Sequence, residues 1–385
     1  METGSCREQV LKMAKKILYC ASTVSHLLNF HLPYLRAFHE MGYEVWAAAD
    51  RHASVPYADH VVALPMRKKF LAPGNARAVL EARSLIRKEG FDIVSTHTGL
   101  ASAVVRAGIL LLRKRPKVVC TVHGYLFHET DGLKKWLYLF PEKLCARVTD
   151  VLMVMNHEDY EVAQKHRLYG DRLCFVGGMG IDLAKFGPAT PGERASARKK
   201  LGIREDDFVF VYAAEFSKRK NQAFLISAFA EASKNHPRMK LLLAGTGALL
   251  ESSKELVRQS GAEERIRFLG FVADMRELYA ACDVCVSVSL IEGLPFNVME
   301  AMACGLPVLA SDIKGHRELV GKGMLFPQDD AESLEKRLET VFSQHGTGRA
   351  SRSRTAPAPD LSRWDIRTVL PQIIGIYQSI APDRM

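Results

Sequence analysis

The sequence predicts an α/β protein of two doubly wound domains, and three observations lead there. At 385 residues the chain exceeds what one hydrophobic core usually serves. Short apolar runs alternate with stretches of helical period, the pattern of parallel βα units. A Gly-, Pro- and Thr-rich stretch, Gly187 to Glu193, interrupts that alternation, with about six strand candidates on each side. A (βα)8 barrel is the rival architecture. The linker near residue 190 and the renewed strand spacing beyond it count against a barrel.

Residues 1–12 look unlike the start of a domain and read as a disordered extension or an upstream start. The first domain is placed at 13–186. Its strand candidates are Lys16–Ala21, Glu44–Ala49, Ile93–Thr96, Lys117–Val122, Val151–Met155 and Leu173–Val176. Between them, Leu32–Met41, Ala76–Glu89 and Glu158–Leu168 repeat apolar residues at helical spacing. The second domain, 187–342, opens its series with Phe208–Ala213. Lys240–Ala244, Ile266–Leu269, Val284–Val288, Val308–Ala310 and a short Met324–Phe326 follow. Residues 343–360, rich in Gly, Ser, Arg, Ala and Pro without apolar period, read as a flexible linker. Beyond it, apolar residues from Trp364 to Tyr377 recur at helical spacing, with Pro371 and Gly375 expected to kink or weaken that helix.

Composition excludes several classes. The longest apolar stretch, residues 100–112, is interrupted by Arg106 and falls short of the ~20 residues that span a bilayer. The apolar run Ile17–Ala21 is too short for a secretory signal, so the chain is expected in the cytoplasm. Eight scattered cysteines, with one lone Cys282-x-x-Cys285, read as reduced buried thiols rather than a zinc or redox centre. The net charge of +10 is uneven: residues 1–185 hold 26 Lys and Arg against 18 Asp and Glu, the remainder 27 against 25. Basic clusters at Arg67–Lys69, Arg113–Lys117 and Lys134–Lys135 read as a solvated face or as a surface resting on anionic lipid. No nucleic-acid motif or aromatic interleaving accompanies them.

The segment from Ile291 to Ala310 is the most informative part of the chain. Glu292 and Glu300 stand eight positions apart, between the apolar runs Val284–Leu290 and Val308–Ala310. A helix is expected over about Pro295–Cys304, with proline at its first position, where a missing N–H costs nothing. Its amino terminus would direct the amides of Gly293, Leu294, Phe296 and Asn297 at whatever fills the mouth of the strands, and such a terminus attracts phosphate. An anion site flanked by two carboxylates suits a ligand carrying both phosphate and hydroxyls, such as a nucleotide sugar.

The whole string, with its continuation Ser311-Asp-Ile-Lys-Gly-His-Arg-Glu318, resembles the Glu-x7-Glu signature of family 4 glycosyltransferases. That resemblance implies the GT-B fold, two Rossmann-like domains facing one cleft, with the C-terminal segment 361–385 returning to the first domain. It implies retaining transfer of a hexose or N-acetylhexosamine from a nucleotide sugar, with uridine as the expected base. Glu300 would hold ribose hydroxyls, and Glu292 sugar hydroxyls. Lys220 would hold the diphosphate. At the position where much of the family has arginine this chain has Glu215, and Lys220-Asn221 stands for Lys-Gly; Arg219 is taken as the substitute cation. Gly245-Thr-Gly247 resembles the loop lining the nucleotide, though a packing turn explains it as well. His123, in Val122-His-Gly124, matches the histidine that contacts the donor sugar. Ser25, His26 and His31, on the loop after the first strand, are candidates for acceptor or donor contacts. No Asp-x-Asp occurs, so neither a metal nor another cofactor is expected.

The stretches Ser25–Tyr34 and Asp312–His316 look most like transferases of bacterial capsule and exopolysaccharide synthesis. A polyprenyl-diphosphate-linked saccharide is therefore the expected acceptor, and the inner membrane surface the expected partner. Two alternatives stay open: a GT-B enzyme of another kind, such as a sugar-nucleotide epimerase, and a catalytically silent partner subunit that binds nucleotide sugar.

Overall fold

The computed structural model describes residues 14–67, 72–128, 131–345 and 360–381. The chain forms two compact units, residues 1–180 with 366–385, and residues 181–365. The expected boundary at 186–187 lies six residues earlier, because Ile181 N donates to Trp364 O at 2.8 Å and ties the 181 segment to the second unit.

The first unit runs β1 (Lys16–Cys20), α1 (Val24–Phe30), α2 (Leu32–Glu40), β2 (Glu44–Ala49), β3 (His60–Ala63), α3 (Pro73–Glu89), β4 (Ile93–His97), α4 (Gly99–Leu110), β5 (Lys117–Val122), α5 (Lys135–Ala146), β6 (Val151–Val154), α6 (His157–His166) and β7 (Arg172–Phe175). The second continues with α7 (Pro191–Lys200), β8 (Phe208–Ala213), α8 (Gln222–Ala232), β9 (Met239–Ala244), α9 (Leu250–Gln259), β10 (Ile266–Gly270), α10 (Met275–Ala281), β11 (Val284–Ser287), α11 (Phe296–Ala303), β12 (Val308–Ser311), α12 (Lys314–Arg317), β13 (Leu325–Phe326) and α13 (Ala331–His345). The last helix, α14 (Ile366–Gln378), belongs to the first unit.

Both sheets are parallel throughout, in the orders β3-β2-β1-β4-β5-β6-β7 and β10-β9-β8-β11-β12-β13. Their central strands are apolar on both faces, as a sheet covered by helices on each side requires. Strand order reverses between β1 and β4 in the first unit and between β8 and β11 in the second. At such a reversal the flanking loops diverge and leave a crevice outside the carboxyl ends of the strands.

Several local expectations change. β3 went unrecognised because this four-residue edge strand is only partly buried and carries no strong apolar alternation. Helix α3 begins at Pro73 rather than Ala76. Pro295 is the cap of α11, with φ −78° and ψ 119°, rather than its first helical residue. Ser343 to His345 lie inside α13, and residues 346–359 of the expected linker fall outside the described residues, as do residues 1–12 and Lys68–Lys69. Helix α14 is continuous through Pro371 and Gly375. None of the described cysteines forms a disulfide, and Cys282 and Cys285 are buried, with burial pushing the Cys285 thiol up to about 12.

Helix α14 seats Val369, Ile373 and Tyr377 in the first unit. The Tyr377 ring meets Phe38 edge to face at 5.0 Å, and its hydroxyl lies 2.6 Å from Ser95 Oγ. Tyr377→Ala is expected to cost the first unit about 3–5 kcal/mol. Denaturant unfolding should show that loss in one transition and leave the second unit's transition in place.

Candidate functional site

In the second unit the loops after β8 and β11 flank the strand-order reversal, and they carry the expected cations and carboxylates. Leu290 N donates to Arg219 O at 2.8 Å, which joins the two loops. The Tyr212 hydroxyl donates to Lys220 O at 2.9 Å and lies 2.9 Å from Ser289 Oγ, bracing the same junction from below. As a result Lys220 Nζ pairs with Glu292 Oε1, and Arg219 NH1 reaches Glu292 Oε2 at 3.1 Å and Ile291 O at 3.2 Å. Arg219, taken as a substitute cation from sequence, thus shares one carboxylate with Lys220.

Burial alone would raise the Glu292 carboxyl, but the charges of Lys220 and Arg219 outweigh it and hold it down at about 2. Burial lowers the Lys220 ammonium, with Glu292 opposing the shift. Glu292 is therefore ionised at neutral pH. Asn221, which replaces the family glycine, sits at φ 55°. Glycine adopts that left-handed conformation freely, and asparagine is among the few side chains that tolerate it. The departure at this position therefore keeps the turn.

Glu300 is set differently. Burial pushes its carboxyl up to about 7, and Lys185 only partly offsets this. No hydrogen bond to that carboxyl occurs among the described residues. Asn297 Nδ2 and Ser217 Oγ are also buried without a partner among the described residues. Intrahelical bonding in α11 begins with Met299 N to Pro295 O at 3.2 Å, so the amides of Asn297 and Val298 lie ahead of the ladder. Leu294 is buried and Phe296 half-buried beside them.

Gly245 and Gly247 have a packing reason to be glycine. A Cβ at Gly245 would stand 2.0 Å from Ala214 O, and one at Gly247 2.4 Å from Phe216 O. This seam holds the loop after β9 against the loop after β8. A residue missed from sequence does the same for Glu292: a Cβ on Gly315 would lie 2.8 Å from Gly293 O and 2.9 Å from Glu292 Cβ. His316, next in the chain, is buried, lies 2.8 Å from Ser287 Oγ through Nε2 and donates through Nδ1 to Ser311 O at 2.8 Å. Burial lowers it to about 4, so it is a neutral prop.

The first unit gathers four imidazoles at its own strand-order reversal. His97 ends β4, His123 follows β5, and His26 and His31 lie on α1 and its carboxyl cap. His31 and His97 rings are 4.3 Å apart, and His26 and His123 rings 4.9 Å. Tyr19 hydroxyl lies 2.9 Å from His31 Nδ1, while Ser95 Oγ lies 2.8 Å from His97 Nε2, and His97 Nδ1 lies 3.3 Å from His123 Nε2. Burial, then mutual repulsion, puts His31, His97 and His123 well below the usual histidine range, so they are neutral. His26, His31 and His123 each bring one ring nitrogen within 4.8 Å of the others, a grouping able to hold a metal ion. Ser25 stands exposed on α1, away from these contacts. His97 was missed, although it too is a histidine at the end of a buried strand.

Comparisons with known proteins agree with this fold. Residues 34–184 match the family model described as Glycosyltransferase Family 4, and residues 193–356 the model described as Glycosyl transferases group 1. The chain is 36% identical over 335 residues to Bacillus subtilis EpsD, which carries a glycosyltransferase name; the match covers 86% of this chain and 88% of that protein. It is 30% identical over 273 residues to the Escherichia coli UDP-Gal:alpha-D-GlcNAc-diphosphoundecaprenol alpha-1,3-galactosyltransferase, covering 69% of this chain and 70% of that protein. In fold it is similar to Anabaena HepE solved with UDP-glucose, at TM-score 0.71 and 22% identity over 94% of this chain and 99% of that one.

The Glu300 environment generates a pH dependence. A carboxyl whose folded value lies above its unfolded value binds its proton more tightly when folded. The second unit should therefore lose stability as pH rises from about 4.5 to about 7, by roughly 3 kcal/mol. Glu300→Gln should flatten that part of the profile in urea titrations at fixed pH steps.

Proposed function

Because the chain belongs to glycosyltransferase family 4, with the GT-B fold, we propose that it moves a hexose or N-acetylhexosamine from a UDP-sugar to a lipid-linked saccharide, with retention of configuration. The observation that carries this reading is the Glu292–Lys220–Arg219 cluster beside the amino end of α11, with an unpartnered Glu300 carboxyl in the second turn of the same helix. Donor and acceptor classes are supported by the relatives. The Escherichia coli protein is named for UDP-galactose and a diphosphoundecaprenol acceptor, and the Anabaena structure holds UDP-glucose.

In this reading Lys220 and Arg219 turn part of their charge from Glu292 to the diphosphate oxygens. The first-turn amides of α11 add their dipoles, and together they stabilise the negative charge that grows on the leaving group. Glu292, kept ionised by the same cations, accepts hydroxyls of the sugar and faces the positive charge developing at its anomeric carbon. Glu300 accepts ribose hydroxyls, which supplies the hydrogen bonds its buried carboxyl lacks. The acceptor hydroxyl oxygen forms its bond to the anomeric carbon as the carbon–oxygen bond to the diphosphate breaks. The electron pair goes to the diphosphate oxygen, and the acceptor's proton passes to that same group. UDP leaves. His123 takes the donor-sugar contact. No metal enters any of these steps.

The test is transfer from UDP-hexoses and UDP-N-acetylhexosamines to polyprenyl-diphosphate-saccharide, with the anomeric configuration of the product read by NMR. An inverted product, or release of an epimerised UDP-sugar without acceptor, would replace this reading. Lys220→Ala is expected to lower turnover by about 10²–10³-fold. His123→Ala should lower it by about 10²-fold while leaving the Kd for UDP within twofold, read by calorimetry. Turnover should be unchanged by EDTA; a loss restored by zinc would transfer a role to the histidine cluster.

A further inference from the structure

The structure assigns a membrane-inserting face to helix α5 of the first unit. Six of the twelve exposed large apolar side chains among the described residues fall in one short segment, Leu126 to Leu144. Five of them, Leu133, Trp136, Leu137, Phe140 and Leu144, recur at positions i, i+3, i+4, i+7 and i+11 and share one face of α5 and the turn before it. Leu133 is 88% exposed, Phe140 65% and Leu137 52%. The opposite face is occupied: Leu139 and Cys145 are buried, and the Arg106 guanidinium, wholly buried on α4, donates to both oxygens of Glu142 at 2.9 and 2.7 Å. The helix is thus fixed in rotation, and its apolar stripe cannot turn inward.

A water-facing stripe of this kind marks an interaction surface. Charge selects its occupant. Lys143 borders the stripe, with its Nζ 5.7 Å from the Trp136 ring centroid. The loop after α4, with exposed Arg113 and Lys114, lies at the same sheet edge as the end of α5 and its exposed Arg147. The first unit as a whole holds 27 Lys and Arg against 18 Asp and Glu, a net +9 of the chain's +10. Pairing two copies through this face would oppose like charges. An anionic bilayer neutralises them, takes the apolar residues among its acyl chains and leaves the lysine heads among its phosphates.

Direction supports the same occupant. The chain enters α5 from the carboxyl edge of β5, the edge at which His123 stands. A saccharide carried on a membrane lipid would therefore be presented beside the imidazole cluster. This deepens the acceptor assignment above and rests on it for its purpose, though not for the binding itself.

The test uses the full chain with sedimented vesicles of phosphatidylcholine containing or lacking phosphatidylglycerol. Partition should be at least tenfold stronger with phosphatidylglycerol and fall with salt. Leu137→Ser with Phe140→Ser should weaken it at least tenfold, without changing thermal melting or turnover on a water-soluble acceptor. Brominated lipid should quench Trp136 fluorescence in the wild-type chain, measured against Trp136→Phe. Equal partition of the double variant, or conversion of a dimer to a monomer with vesicle binding intact, overturns the assignment. Binding that requires Leu137 and Phe140 upholds it even where lipid-linked acceptors prove inert, in which case only the acceptor assignment falls.

Discussion

Glu292 is only 6% exposed, and a carboxylate so placed is tolerable because Lys220 and Arg219 meet its two oxygens. Removing one partner from a buried pair costs several times what a surface pair is worth, since the survivor keeps its desolvation penalty. The arrangement fixes more than three side chains. It ties the loop after β8 to the loop after β11, with the Leu290–Arg219 main-chain bond and the Tyr212 hydroxyl as its braces. Those loops flank the point where strand order reverses, so the fold supplies the crevice and the ion cluster sets its lining.

The first unit solves a different problem, holding polar rings in an apolar interior without charge. His31, His97 and His123 stay neutral because burial and their neighbours disfavour a proton, and hydrogen bonds with Tyr19 and Ser95 order the His31 and His97 rings. Ser95 also contacts Tyr377, so the last helix reaches the cluster through a two-bond relay. The two clusters thus offer opposite electrostatic settings, one strongly ionic and one of neutral imidazoles.

Much of this was legible in the residues. Twelve of the thirteen described strands could be read because buried parallel strands are continuous apolar runs, and Glu44–Ala49, Lys117–Val122 and Phe208–Ala213 match to the residue. Glu292 and Glu300 were visible because a helix after a strand places residues in a crevice whatever the tertiary detail. What escaped had no local signature. Tyr377 meets Ser95, and through it His97, across 282 positions of sequence, and no periodicity encodes that. Gly315 looks like an ordinary helix-start glycine until the Glu292 loop is seen lying on it. Pro295 was displaced by one position because a proline serves a cap and a first turn equally well.

The glycine seams at 245, 247 and 315 leave main chain resting on main chain, with no side chain between to be traded for a larger or smaller one. Evolution therefore has little freedom to reshape the path of these loops. Change in what these loops present has to proceed through neighbours such as Leu294, Phe296 and Asn297, whose side chains can vary while the backbone beneath them stays put. Within such a lineage, side-chain chemistry can drift quickly on a scaffold that barely moves.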